Sequence, residues 1–290
     1  MIPLALSILS STMIFVVFKL FSRFKINTLH ALVVNYIVAC FCGIIFQESK
    51  MNISEIPHFT WFPFALGLGA MFIMVFNLMA ITTQRSGLSV VSVATKMSVV
   101  IPIVFGLLYY KESLGIFKVL GIILALAAVY LASIKKQDGL KIKPANFIFP
   151  ILVFMGSGII DTTIKYLEGE YIAENDTPIF SATIFAMAAL LGILYLIVQA
   201  IKGKFKFELK NVLGGIALGI PNYFSVYFLV QALRSDILES SGIFTVNNVA
   251  IVMVSTLLGI LLFKEKLLTK NWVGIGLAIL GILFIAFEKL

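Results

Sequence analysis

Two short stretches decide how this chain folds: Tyr109-Tyr110-Lys111-Glu112-Ser113-Leu114 (YYKESL) and Leu262-Phe263-Lys264-Glu265-Lys266-Leu267 (LFKEKL). Each closes one long apolar run and opens another. Beyond the first, Gly121-Ile122-Ile123-Leu124-Ala125 is matched by Gly274-Ile275-Gly276-Leu277-Ala278 beyond the second, at the same offset. Upstream, Leu66-Gly67, Phe72 and Ala80 are answered by Leu218-Gly219, Phe224 and Ala232, and Lys19 is answered by Lys165. Apolar segments match by chance one pair at a time, but an ordered series of pairs is the mark of duplication. The polar break Lys135–Lys143 (KKQDGLKIK) lies between the copies and divides the chain into 1–138 and 139–290.

Working outward, ten apolar runs emerge: Ile2–Phe21, Leu29–Phe46, Trp61–Thr83, Leu88–Tyr110 and Leu114–Ile134 in the first half, then Phe147–Tyr166, Pro178–Gln199, Val212–Leu233, Ser240–Phe263 and Trp272–Phe287. Each is close to the roughly 20 residues that a helix needs to cross a hydrocarbon core. Barrel strands would be about ten residues long and strictly alternating, a pattern absent here. Composition agrees, with 60% hydrophobic and only 12% charged residues and a mean hydropathy of +1.06. Soluble domains carry about twice that charge. The expected fold is therefore an all-α integral membrane protein of ten transmembrane helices in two five-helix repeats. Five is odd, so the second repeat must enter from the opposite side. That makes the repeats inverted, a plan used by secondary transporters with the substrate near the midplane. The first run lacks the basic lead and the small-residue cleavage site of a signal peptide, so it is read as part of the mature protein.

The net charge of +8 sits in short clusters between apolar runs, which suits a membrane surface rather than a nucleic acid. Fifteen of the 22 basic residues fall in the loops after odd-numbered helices or at their ends, against six on the other side. The positive-inside rule then places the Lys-rich loops in the cytoplasm and both termini outside. Cys40 and Cys42 have no ligating neighbours, and His30 and His58 fall at segment ends without metal spacing. There is no phosphate-binding Gly-Lys-Ser/Thr loop. Neither a catalytic constellation nor a cofactor is expected, so transport would be secondary or facilitated.

The duplicated Lys-Glu ending, the Gly beyond it and the ten-helix layout resemble the drug/metabolite transporter superfamily, and within it the EamA-like exporters, over essentially the whole chain. The resemblance implies a 5+5 inverted-repeat fold in the cell membrane and outward transport of small metabolites, often amino acids. It also implies termini in the cytoplasm, opposite to the basic-residue count, which is preferred here because it acts on this chain's own loops. Many relatives carry a proline in both the fourth and ninth helices. Here Pro102 is present, but Ser255 holds the second position.

Ionisable groups inside a spanning helix cost roughly 2.5–3.5 kcal/mol by insertion scales and are functional candidates. Two are deep: Lys96 in the fourth helix and Asp161 in the sixth, with Lys165 one turn beyond Asp161. They either neutralise one another or serve a substrate or a proton. Lys165 and Lys19 lie near helix ends and are read as snorkelling. The eighth helix carries Asn222, Tyr223 and Tyr227 as a polar stripe, and the ninth carries Ser240, Ser241, Thr245, Asn247 and Asn248. Asn35 and Tyr36 lie in the second. A single Asn of this kind is usually an interhelical bond worth about 0.6 kcal/mol. The helix 8–9 group is read as a cavity lining. The substrate-binding candidates are thus Lys96, Asp161, Asn35, Asn222, Tyr223, Tyr227, Thr245, Asn247 and Asn248. The expected partners are a small-molecule substrate, proton coupling and the bilayer, and an internally duplicated chain can act as a monomer. The rival readings are a non-transporting scaffold or receptor, which has no need of a buried lysine and aspartate, and a membrane enzyme, which should cluster His, Asp and Glu at one face.

Overall fold

The computed structural model describes residues 1–47, 53–86, 94–112, 115–133, 148–235, 238–263 and 268–287. The polar break Lys135–Lys143, the second Lys-Glu motif from Lys264 to Leu267 and the start of the fourth helix lie outside them.

Ten α-helices follow one another among the described residues: α1 (Ile2–Arg23), α2 (Thr28–Ile45), α3 (Phe62–Ser86), α4 (Ala94–Tyr109), α5 (Ile116–Ser133), α6 (Ile148–Glu170), α7 (Thr177–Ile201), α8 (Leu209–Leu233), α9 (Ser240–Phe263) and α10 (Thr269–Phe287). Seven are long and apolar enough to cross a membrane, namely α1, α2, α3, α6, α7, α8 and α9, while α4, α5 and α10 are shorter apolar helices. Several run one turn past the apolar run that predicts them. The reason is that a helix continues through the polar interface until something stops it. Where a cap exists, it shows: Asn27 accepts from the backbone N–H groups of Leu29 and His30 to start α2.

The chain divides into two compact units, each drawing on both sequence halves. One contains Ile2–Met74 and Tyr166–Gln231; the other contains Val75–Lys165 and Ala232–Leu290, with Met1. The most extensive helix pairings among the described residues are α2 with α7 in the first of these and α5 with α10 in the second, in each case helices five apart in order.

Small residues make both pairings close. In the first unit, a side chain at Gly43 would strike Ala182 and the Pro178 carbonyl, and one at Gly192 would strike Val33. Trp61 is fully buried there, stacked on Phe59 and edge-on to Phe180. In the second unit, a Cβ at Gly121 would lie 2.9 Å from the Gly281 carbonyl, and one at Gly281 would lie 3.0 Å from the Gly121 carbonyl. Ala125, Ala128 and Ala278 extend that contact into a core with Val129, Val249 and Val252. Asn271 ties its end by donating to the Leu131 carbonyl (2.9 Å) and accepting from the Leu268 N–H (2.8 Å). Trp272, one residue on, is 58% exposed.

Candidate functional site

The second unit holds the deep charges. Lys96 lies near the start of α4, only 8% exposed, two residues before the helix breaks at Ser98-Val99. The break follows from Pro102. Proline has no N–H, so the Ser98 carbonyl loses its donor four residues on, and the ring crowds that same carbonyl. Ser98 O accepts from the Ile101 N–H instead (2.9 Å), a tighter turn, and the Ser98 hydroxyl donates to the Thr95 carbonyl (2.6 Å). Regular helix resumes at Val100–Tyr109.

Lys96 Nζ donates to Asn248 Oδ1 at 3.1 Å. The amide of Asn248 is held for this by its own Nδ2, which donates to the Phe244 carbonyl one turn back (3.0 Å). The Asp161 carboxylate on α6 lies within electrostatic reach of Lys96. Lys165 reaches another group, its Nζ lying 5.4 Å from the centre of the Tyr110 ring. Thr245 donates to the Ser241 carbonyl (2.7 Å) and is 1% exposed. Asn247 is also buried, and its Oδ1 has no hydrogen-bond partner among the described residues. Neither asparagine of the adjacent pair faces lipid.

α9 passes Ser255, the position that answers Pro102, without interruption. There the Ser255 and Thr256 hydroxyls both donate to the Val252 carbonyl, at 3.0 and 2.7 Å.

The other candidates fall in the first unit. Asn222 Nδ2 on α8 donates to Asn35 Oδ1 on α2 at 3.1 Å, with both residues buried. Close approach of the two helices is set by Gly215 and Gly219, whose added Cβ atoms would meet the Ala31 and Asn35 carbonyls. Tyr223 is fully buried and stacks on Tyr227 with ring centres 5.7 Å apart. The Asn35 Nδ2 and Tyr223 hydroxyl have no hydrogen-bond partner among the described residues. Ser7 on α1 donates to the Ser225 carbonyl (3.2 Å).

One residue escaped the sequence reading. Glu112, of the first Lys-Glu motif, is not a solvated loop charge: its side chain is 7% exposed. Lys111 adopts a left-handed conformation (φ 53°) immediately before Glu112. The Glu112 carboxylate thereby packs over Gly106, where a Cβ would lie 2.8 Å from its Oε1. The carboxylate accepts from the hydroxyls of Ser240 and Ser241, from the Ser241 N–H (3.2 Å) and from Lys118 Nζ (3.2 Å). The legible signal was the glycine six residues before the glutamate, since Gly106…Glu112 recurs as Gly259…Glu265.

Residues 1–134 match the model of the EamA-like transporter family. An uncharacterized protein of Haemophilus influenzae is 26% identical over 283 residues, which cover 94% of this chain and 93% of that one. A crystal structure of a protein 13% identical in sequence shares the fold, with a TM-score of 0.78 over 99% of this chain and 96% of its own. The resemblance read from the Lys-Glu endings and the ten-helix order is thus met by a family match over the first half of the chain: residues 1–134 are similar to the EamA-like transporter family, and the fold is that of an all-helical membrane protein.

Proposed function

We propose that this protein is a secondary transporter of small polar metabolites, amino acids among them, working by alternating access in the cell membrane with export as its direction. The observation that carries the reading is Lys96: an ammonium held deep among apolar helices by Asn248, with the Asp161 charge in reach. A membrane protein bears the cost of such charges where they serve a substrate or an ion path. An ammonium beside a carboxylate complements the two ends of an amino acid. Lys96 meets the substrate carboxylate, and Asp161 meets its amine or carries a coupling proton. Thr245 and Asn247 on α9 supply further hydrogen bonds in the same unit, while Asn35, Asn222, Tyr223 and Tyr227 offer polar groups and ring surface within the first unit. The Lys-rich loops face the cytoplasm, and a single chain is the working unit.

The test is uptake of a radiolabelled amino-acid and nucleobase panel into proteoliposomes, with and without a proton gradient. Lys96→Ala should insert normally and lose transport of the substrate that the parent carries. Normal transport with the same pH dependence in that variant would remove Lys96 from the site.

A further inference from the structure

We propose that Glu112 is the latch of a gate at one end of a polar track that runs along α9 to Lys96; this deepens the transport reading above and rests on it. Three observations within the second unit carry it. The first is the track. Ser241, Thr245 and Asn248 are spaced by four and three residues, so they lie on one face of the helix, and all three are at most 8% exposed. It starts at Glu112, which Ser241 binds, and ends at Asn248, which binds Lys96. On the same face, two turns beyond Asn248, stands Ser255.

The second is the density of bonding at its mouth. One nearly buried carboxylate collects two hydroxyls, a backbone N–H and a lysine ammonium. Lys118, only 3% exposed, also pairs with Glu239, whose side chain is 43% exposed. The N–H of Ser241 is one of the free donors of the α9 amino terminus, where the helix dipole favours a negative charge. Glu112 thus ties the start of α9 to Lys118 on α5 with charge-assisted bonds, the strong class.

The third is how the carboxylate gets there. The left-handed Lys111 and the bare surface of Gly106 hold Glu112 back over its own helix. Every bond to the carboxylate is polar and exchangeable with water. Apolar packing resists wetting, whereas a polar seal can open when its partners hydrate, which is what an alternating gate requires. The end that opens is the end of α4 away from Lys96.

The experiment uses the full chain in vesicles, with Cys40 and Cys42 replaced by Ser and a single reporter thiol at Thr245→Cys or Ser255→Cys. A membrane-impermeant maleimide is applied from each side in turn. In the parent, Thr245→Cys should react slowly. Glu112→Gln should speed its labelling by about tenfold or more, the scale set by losing a charge-assisted bond, and from one side only. Ser255→Cys should keep its parental rate. Lys118→Gln should reproduce the effect, and it stands as the test if Glu112→Gln does not fold. A parental rate at Thr245→Cys in the folded variant overturns the latch. So does a rise at both reporters, which marks general loosening of α9. Labelling is read without any substrate, so failure to find a transported metabolite leaves this result intact, and a failed latch leaves the Lys96 test intact.

Discussion

α4 and α9 occupy the same place in the two sequence repeats, yet one is broken and the other is not. α4 interrupts at Ser98-Val99 because Pro102 withholds a donor from Ser98, and Lys96 stands at the edge of that interruption. α9 runs unbroken through Ser255 and presents Asn248 from a regular turn. The pair that meets at 3.1 Å is therefore one group on an irregular backbone and one on a regular one. The difference teaches where adaptability is placed. Irregular backbone at membrane depth is tolerated where protein re-satisfies the freed groups, and around Ser98 the Ile101 N–H and the Ser98 hydroxyl do so. The irregular turn at 98–99 lies two residues from Lys96, while Asn248 is held by its bond to the Phe244 carbonyl on a regular helix.

Making the two helices alike from the other direction should have the largest effect. Ser255→Pro removes a backbone donor in α9 and sets a ring against the Ile251 carbonyl, a cost of about 3 kcal/mol or more in a helix interior. Thermal unfolding in detergent should show a clear fall in the midpoint. An unchanged midpoint would mean that α9 already yields at that point as α4 does.

A smaller effect is expected from removing the fixed partner. Asn248→Leu keeps the volume but takes one hydrogen-bond acceptor from the buried Lys96, a cost of about 1–3 kcal/mol for a bond to a charged group. Double-mutant analysis with Lys96→Met should show the two changes to be strongly non-additive, because the ammonium is what suffers. Additive losses would show that Asn248 matters for packing alone.

The smallest change in stability belongs to Pro102→Ala. It returns an N–H to face the Ser98 carbonyl and should raise the midpoint slightly, through a stability gain of about 1 kcal/mol at most from the regained hydrogen bond. Amide exchange near residues 98–102 should slow, and turnover should fall if the 98–99 turn is what lets Lys96 move. Faster turnover in the mended helix would place the working flexibility elsewhere.

Much of the fold was legible because the bilayer demands long apolar runs. The ninth helix is found at Ser240–Phe263, the bounds its apolar run predicts. Charge inside those runs flagged Lys96 and Asp161, and the missing second proline flagged the α4–α9 difference. What could not be read is which side chains meet. That Lys96 chooses Asn248, 152 residues away, depends on helix packing that no periodicity encodes. Glu112 was missed for a different reason: hydropathy counts a charge after an apolar run as solvated. Only the left-handed Lys111 and the bare face of Gly106 turn it back into the protein. The glutamate's partners, Ser240 and Ser241, read from sequence as part of a cavity lining, whereas in the structure they hold a carboxylate.

The placement of the two tryptophans has an optical consequence. Trp61 is enclosed by Phe59 and Phe180 in one unit, and Trp272 stands open at the start of α10 in the other. The molecule thus carries a native fluorophore in each half of its architecture, one in a dry aromatic surround and one in contact with its environment. Emission from Trp61 belongs to the blue end and is sheltered from quenchers, whereas Trp272 is open to brominated lipid or aqueous iodide. Phe at either position leaves a single-colour reporter of the other unit, so the behaviour of each can be followed by light with no added label.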